Sequence, residues 1–323
     1  MPRRRAASRR SGRGSPGRPR RGAGPAAFAG GTAPGGEGGA TPPVPPVGIV
    51  GAGRAGLALA VALRRARVAV AGVHARHARP APAGIRLSVG GLPPWLPRVG
   101  VVVCAVGDDA LGTCARELAA GGAGPGLVVL HLSGALTADA LAPLAARGAA
   151  TGSMHPLMTF GPDPVRAARA LRGASFALEG DVAAVAVADA MVRRLGGVSL
   201  PLAPELKPRY HAGAVFASNY LVTMLATAVR LLEEAGLAPD AALTAVAPLA
   251  RTTVENAAAG PAAALTGPVL RGDVATIRRH LAALDPATAE LYRAVGRATL
   301  ALARRSGGKL DEGGAALLAE LFR

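Results

Sequence analysis

A glycine motif near residue 50 constrains the fold of this chain more than any other feature. It has the form G-x-G-x-x-G and consists of Gly51, Gly53 and Gly56. An apolar run at 47–50 precedes it, and a helical pattern followed by a second apolar run at 68–73 comes after it. The first glycine allows a tight turn, the second lets the backbone approach a pyrophosphate, and the third lets helix and strand pack closely. The spacing therefore predicts a dinucleotide-binding βαβ unit with the phosphates at the helix N-terminus.

Much of the positive charge lies at the beginning of the chain. The formal net charge is +17 at pH 7; segment 1–46 has nine arginines in its first 22 residues and Glu37 as its only acid, so it carries +8 of this charge. This Arg/Gly/Pro-rich segment has no periodic apolar pattern, so we expect it to be disordered. It could be a basic arm for nucleic acid or a membrane, a targeting peptide, or a tail without function. We favour the tail and expect no nucleic-acid partner.

Cysteine content and hydropathy exclude several protein classes. Cys104 and Cys114 are too few for a disulfide framework and lack the spacing of metal ligands. We therefore predict no metal site and a reducing, cytoplasmic location. There is no run of about 18 consecutive apolar residues, and we expect no transmembrane helix.

The pattern of elements divides the rest of the chain in two. Strand and helix patterns alternate over 47–200, and the apolar run at 99–106 is typical of a parallel strand buried on both faces. Such alternation predicts an α/β, Rossmann-like doubly wound parallel sheet. After Pro201 the pattern is helical throughout, which predicts an all-helical domain over 201–323 and a ligand cleft between the two halves.

The end of the second predicted strand favours NADP over NAD. NAD-binding chains place an acid about 20 residues past the glycines, whereas an arginine there accommodates the 2′-phosphate of NADP. Here Arg76 and Arg79 occupy this region and no acid is near in sequence. We predict NADP, with NAD as the alternative. The residues expected to contact the cofactor are Gly51, Gly53, Arg54, Ala55, Gly56, Arg76, Arg79, Val106 and Asp108.

Polar residues follow the fifth and sixth predicted strands. Ligands bind outside the carboxyl ends of parallel strands, where His131, Ser133 and His155 fall. His155 precedes a proline and is therefore held extended. It could donate a proton or bind substrate. Alternatively, both histidines could be packed in the core.

The first helix of the second half carries a polar stripe. Residues 211, 215, 218 and 219 share one face by helical spacing. The stripe formed by His211, Ser218 and Asn219 indicates either a polar core network or the wall of a site. We favour the wall. Further along, Arg271 could clamp a substrate carboxylate or pair with Asp273. The predicted catalytic residues are His211, His155, Asn219 and Ser133, and the predicted substrate-binding residues are His131, Tyr210, Thr266 and Arg271.

Four stretches together resemble a family of bacterial Rossmann-like proteins that carry a C-terminal helical domain of unknown function. They are HLSGAL at 131–136, MHPLMTF at 154–160, YHAGAVFASN at 210–219 and LTGPVLRGD at 265–273. Gly107 departs from the family pattern, which usually has proline there. The family in turn resembles the 6-phosphogluconate dehydrogenase, ketopantoate reductase and pyrroline-5-carboxylate reductase group. This resemblance implies a helical domain that often dimerises, and it implies that His211 and Asn219 bind substrate and relay a proton.

Two functions remain open at this point. The first is an NADP-dependent oxidoreductase that moves a hydride to or from a C=O or C=N carbon of a small, anionic metabolite. The second is a dinucleotide-binding sensor or scaffold without turnover. We expect a homodimer formed through the helical domain in either case.

Overall fold

A computed structural model describes residues 43–306 and 310–323. These residues contain eight strands in one sheet. The strands are β1 Val47–Val50, β2 Val70–Ala75, β3 Leu87–Val89, β4 Val101–Cys104, β5 Val128–His131, β6 Ala150–Pro156, β7 Ser175–Gly180 and β8 Val198–Pro201. Their spatial order is β3-β2-β1-β4-β5-β6-β7-β8. The expectation of disorder for 1–46 lies almost wholly outside the described residues.

Helices alternate with the strands and then fill the second half of the chain. Those of the first half are α1 Arg54–Arg65, α2 Asp108–Ala120, α3 Ala142–Ala145, α4 Pro164–Ala170 and α5 Val182–Leu195. Those of the second half are α6 Lys207–Val215, α7 Leu221–Glu234, α8 Pro239–Ala258, α9 Pro261–Ala264, α10 Val274–Ala283, α11 Pro286–Arg305 and α12 Glu312–Leu321. A π-helical turn, Phe216–Tyr220, joins α6 to α7 without a break. The predicted fold class, an α/β sheet followed by an all-helical region, is confirmed.

One strand pair departs from the predicted all-parallel sheet. β7 runs antiparallel to β6, with Pro156 opposite Phe176, whereas the other neighbouring pairs are parallel. Because β7 is antiparallel to β6, the chain re-enters the sheet at the end where β6 left it. The length of the connection does not decide this direction. The connections before β6 and before β7 both have 18 residues, and β6 is parallel to β5.

Small residues let the core close around the sheet. α1 and α5 cover one face with alanine, valine and leucine, while α2 and Trp95 cover the other. A Cβ atom at Gly48 would lie 2.0 Å from the Trp95 ring, so only glycine fits below the indole. A separate apolar cluster joins α10, α11 and α12 around Ile277 and Phe322.

The long helical stretch at 204–234 is unusually exposed. It meets the length and composition expected of a membrane span, with a mean hydropathy of 1.5, and none of its most apolar window is buried. α7 contains no buried residue at all. The sequence-based expectation of no transmembrane helix is therefore qualified, because this one helical stretch passes the test of length and composition.

Candidate functional site

The glycine motif forms the turn between β1 and α1. Gly51 has a φ of +112°, and a Cβ atom there would lie 2.3 Å from the carbonyl oxygen of Ala105. A Cβ atom at Gly56 would lie 2.0 Å from the carbonyl oxygen of Gly51. Contacts within the protein therefore require glycine at both positions. Gly53, the N-cap of α1, is different because nothing lies within 4 Å of the Cβ position.

The open space beside Gly53 belongs to a cavity of about 890 Å³ at the carboxyl ends of β1, β2 and β4. Its lining includes five of the predicted cofactor residues, namely Gly51, Gly53, Arg76, Arg79 and Val106. The other four predicted cofactor residues, Arg54, Ala55, Gly56 and Asp108, do not line it. Gly56 instead packs against the turn. The N-terminus of α1 has no side-chain cap, so its N–H groups are available to an anion.

Arg79 and two residues that were not predicted, His74 and Glu117, shape this cavity. Arg79 donates from Nη1 to the carbonyl oxygen of Ala52 at 3.1 Å, which ties the end of β2 to the glycine turn. The buried His74 ring contacts Ser88 Oγ at 2.9 Å and the carbonyl oxygen of Gly91 at 3.1 Å. Glu117 of α2 also lines the cavity. Sequence reasoning missed His74 and Glu117 because neither lies in a recognisable motif.

A second polar cluster surrounds Gly134, just beyond β5. A Cβ atom at Gly134 would lie 2.7 Å from His155 Nε2 and 2.5 Å from His211 Nδ1. The two imidazole rings meet edge-on, with centroids 5.9 Å apart. His211 Nδ1 is buried and has no hydrogen-bond partner among the described residues. The sheet and α6 thus bring together two predicted catalytic histidines around a glycine that leaves room between them.

Burial shifts the pKa values of His155 and Tyr210. It lowers the pKa of His155 to about 4, and the charges of His211 and Lys207 act in the same direction. Burial also raises the pKa of Tyr210 to about 12. The Tyr210 hydroxyl lies 2.8 Å from His155 Nδ1. Since Tyr210 keeps its proton, it can donate to Nδ1, and the neutral ring then carries its own proton on Nε2, which faces Gly134.

A buried lysine holds α6 against the sheet. Lys207 Nζ lies 2.7 Å from Glu179 Oε1 on β7 and 2.5 Å from Ser153 Oγ on β6. The side chains of Lys207 and Glu179 are 0% and 2% exposed. Burial lowers the pKa of Lys207, and the hydrogen bond that Lys207 donates to Glu179 opposes that effect. The sequence does mark Lys207, because it is one of only two lysines in the chain.

His131 and Ser133 shape the turn after β5, and their roles toward a substrate stay predictions. His131 is fully buried, its Nε2 lies 3.0 Å from the carbonyl oxygen of Thr137, and its Nδ1 accepts from the Ser133 N–H. Ser133 Oγ accepts from two backbone N–H groups, those of Ala135 and Leu136. Both ring nitrogens of His131 therefore have partners within the turn.

The predicted stripe on α6 is corrected. Ser218 donates to the carbonyl oxygen of Ala214 and contacts the exposed Asn219. The π turn at 216–220 adds about one residue to the local helical repeat, so helical spacing counted from His211 no longer applies. A cavity of about 400 Å³ shows which residues share the face of His211; its lining is Ala135, Pro208, His211, Ala212, Val215, Phe216 and Tyr220.

The predicted anion clamp lies on the surface. Thr266 and Arg271 are both exposed. Asp273 caps α10 by accepting from the Thr276 N–H at 3.0 Å, and no ion pair with Arg271 is seen among the described residues. The described residues also hold no group of three or more potential metal ligands.

Comparison with protein families assigns both halves of the chain. Residues 32–156 match a Rossmann-like domain, and residues 174–299 match a domain of unknown function, DUF2520. The chain combines these two domains. The resemblance inferred from the four sequence motifs is thereby confirmed. The seam between the two matches falls at the antiparallel pair of β6 and β7, so β7, α5 and β8 complete the sheet from within the DUF2520 range.

Solved structures share this fold. A Bacteroides fragilis protein, provisionally assigned as an NADP oxidoreductase, has 22% identity and a TM-score of 0.65, covering 79% of this chain and 97% of its own. A Thermotoga maritima protein has 22% identity and a TM-score of 0.63, covering 80% and 99%. The NADP-bound pyrroline carboxylate reductase of Plasmodium falciparum has 12% identity and a TM-score of 0.52, covering 86% and 99%. No curated protein matches the sequence.

Proposed function

We propose that this chain is a nicotinamide-dinucleotide-dependent oxidoreductase that prefers NADP. The observation that carries the proposal is the space beside Gly53, where no protein atom lies within 4 Å of a Cβ position and the N–H groups of α1 are uncapped. No packing contact requires a glycine at this position, and close approach of a pyrophosphate does. The names of similar structures, an NADP oxidoreductase and an NADP-bound reductase, support the same class of cofactor.

The preference for NADP rests on Arg76 and Arg79, which line the cavity at the end of β2. Each can pair with a 2′-phosphate, which NAD lacks. We expect Arg76→Ala to weaken NADPH binding by about tenfold, or ~1.4 kcal/mol, and to leave NADH binding unchanged. Arg169→Ala removes an exposed arginine from α4 and serves as the charge-matched control. Equal losses for both cofactors would contradict this assignment.

The bound dinucleotide would supply or accept a hydride, and the side chains around Gly134 would transfer the proton. Neutral His155 presents its Nε2–H beside Gly134 and can donate to a carbonyl oxygen or an imine nitrogen. As Nε2 gives up its proton, Tyr210 donates a proton to Nδ1, 2.8 Å away, and the partly exposed Tyr210 oxygen takes a proton from water in turn. The unpartnered Nδ1 of His211 can bind a second polar group of the substrate. These roles fit reduction of a C=O or C=N bond.

The cofactor cavity and this cluster lie at the same edge of the sheet. Val106 follows β4, Ser133 follows β5, and β4 and β5 are adjacent parallel strands. Neighbouring strands are about 4.8 Å apart, so a ligand that extends from the cavity reaches the cluster. A net charge of +9 outside segment 1–46 favours a small, anionic metabolite as the substrate.

Turnover tests this proposal. NADPH oxidation would be followed with a panel of small keto acids, aldehydes and cyclic imines. We expect Tyr210→Phe to lower kcat by about 100-fold with little change in KM, because the relay to His155 is lost. Tyr292→Phe is a matched control, since Tyr292 makes the same 2.8 Å contact with His280 away from the site. NADPH binding without any turnover would favour the sensor or scaffold.

We also propose a homodimer formed through α7 and α8. Val222, Leu243 and Leu249 are 65%, 59% and 69% exposed on these two helices. An apolar surface of this extent is typical of an interface. We expect Val222→Glu together with Leu249→Glu to give a monomer in light-scattering measurements. Val182→Glu changes an exposed valine on α5 and should leave the dimer intact.

A further inference from the structure

Two cysteines contact each other at the wall of the cavity of about 890 Å³. Cys104 ends β4 and Cys114 lies in the second turn of α2, with their sulfur atoms 3.8 Å apart. Both are reduced and buried, at 1% and 4% exposure. A disulfide has an S–S distance of about 2.05 Å, so closing the gap requires a shift of about 1.8 Å.

The two sulfur atoms differ in access. Cys114 lines the cavity, together with Ala110 and Leu118 of the same helix, whereas Cys104 does not. A small oxidant that enters the cavity therefore meets Cys114 first. The hydrogen bond with Cys104 lowers the pKa of the Cys114 thiol against the opposing effect of burial. The same contact, followed by burial, raises the pKa of Cys104.

We propose that Cys104 and Cys114 are a peroxide-sensitive dithiol that controls the cavity. The Cys114 thiolate attacks the O–O bond of a hydroperoxide, giving a sulfenic acid and an alkoxide or hydroxide. The Cys104 thiol then attacks the Cys114 sulfur, which forms the S–S bond and releases water. The two thiols lose two electrons and the peroxide gains them. No other reactant is needed.

Disulfide formation would alter the cavity wall. Because protein interiors are close-packed, moving the Cys114 sulfur by about 1.8 Å shifts the neighbouring part of α2 as well. We expect NADPH affinity to fall by about tenfold on oxidation and to recover on reduction. This effect on the cofactor rests on the proposed function, whereas formation of the disulfide does not.

Peptide mapping tests the dithiol directly. The purified full-length chain would be treated with hydrogen peroxide, its remaining free thiols blocked, and the chain then cleaved on the N-terminal side of aspartate. Asp108 and Asp109 lie between the cysteines, so an intramolecular disulfide appears as two peptides joined together. We expect this cross-link in the oxidised chain and its loss after dithiothreitol. Free thiols, or overoxidised Cys114 without the cross-link, would overturn the proposal.

NADPH binding tests whether the disulfide controls the cavity. Cys104→Ala changes a residue outside the cavity lining, so it should bind NADPH like the wild type and lose the response to peroxide. A cross-link in the wild type with unchanged NADPH affinity would refute control of the cavity. If the reduced wild type binds neither NADPH nor NADH, the proposed function fails, and the peptide map still decides whether the dithiol exists.

Discussion

Lys207→Met should destabilise the chain strongly, because it removes one member of a buried ion pair. The Glu179 carboxylate would lose a partner at 2.7 Å and stay at 2% side-chain exposure. Breaking a buried pair in this way costs about 3–5 kcal/mol, since it leaves an uncompensated charge in the interior. That is a large fraction of a typical unfolding free energy of about 5–15 kcal/mol.

The double variant separates this charge effect from lost packing. Adding Glu179→Gln to Lys207→Met removes the uncompensated charge, so the double variant should regain about 2 kcal/mol over Lys207→Met alone. Urea unfolding followed by circular dichroism measures each free energy. Arg193→Met, which breaks the exposed pair with Asp189 at 2.8 Å, should cost at most about 1 kcal/mol. A cost of only about 1 kcal/mol for Lys207→Met would contradict the expected effect of an uncompensated buried charge. Additive effects in the double variant would contradict it as well.

Three further predictions follow from the same structure. Gly56→Ala should lower Tm, because its Cβ would lie 2.0 Å from a carbonyl oxygen, whereas Gly53→Asp should leave Tm unchanged, because the position is open and Asp caps a helix well. Burial lowers the pKa of His131 to about 4, so the unfolded chain binds more protons between that value and about 6.5. Stability should therefore rise with pH through this window, by about 3 kcal/mol from His131 and by a further amount from His155, whose pKa is also about 4. His131→Gln should reduce the rise measured by urea unfolding without abolishing it. Val222→Glu with Leu249→Glu should halve the mass in light scattering, and an unchanged mass would contradict the dimer.

The fold could be predicted from the sequence because its signals are local. The glycine motif, the valine-rich strands and the helix-capping aspartates, such as Asp273 and Asp285, act within a few residues. The direction of β7 could not be predicted this way. The connections before β6 and before β7 both have 18 residues, so their length does not separate a parallel return from an antiparallel one.

The candidate site was only partly predictable. His155 and His211 could be singled out by their positions at a strand end and on a helix. The pairing of Lys207 with Glu179 joins elements far apart in the chain, so no spacing rule reveals it. Asn219 was misplaced because the π turn changes the helical repeat, and neither propensity nor periodicity predicts such a turn.

Binding of the dinucleotide is the most direct test of this account. The fluorescence of NADPH and NADH would be titrated with the wild type and with Gly53→Asp. We expect the wild type to bind NADPH more tightly than NADH, and Gly53→Asp to lose binding of both while it unfolds at the wild-type temperature. A wild type that binds neither cofactor, or a Gly53→Asp variant that binds both normally, would contradict it.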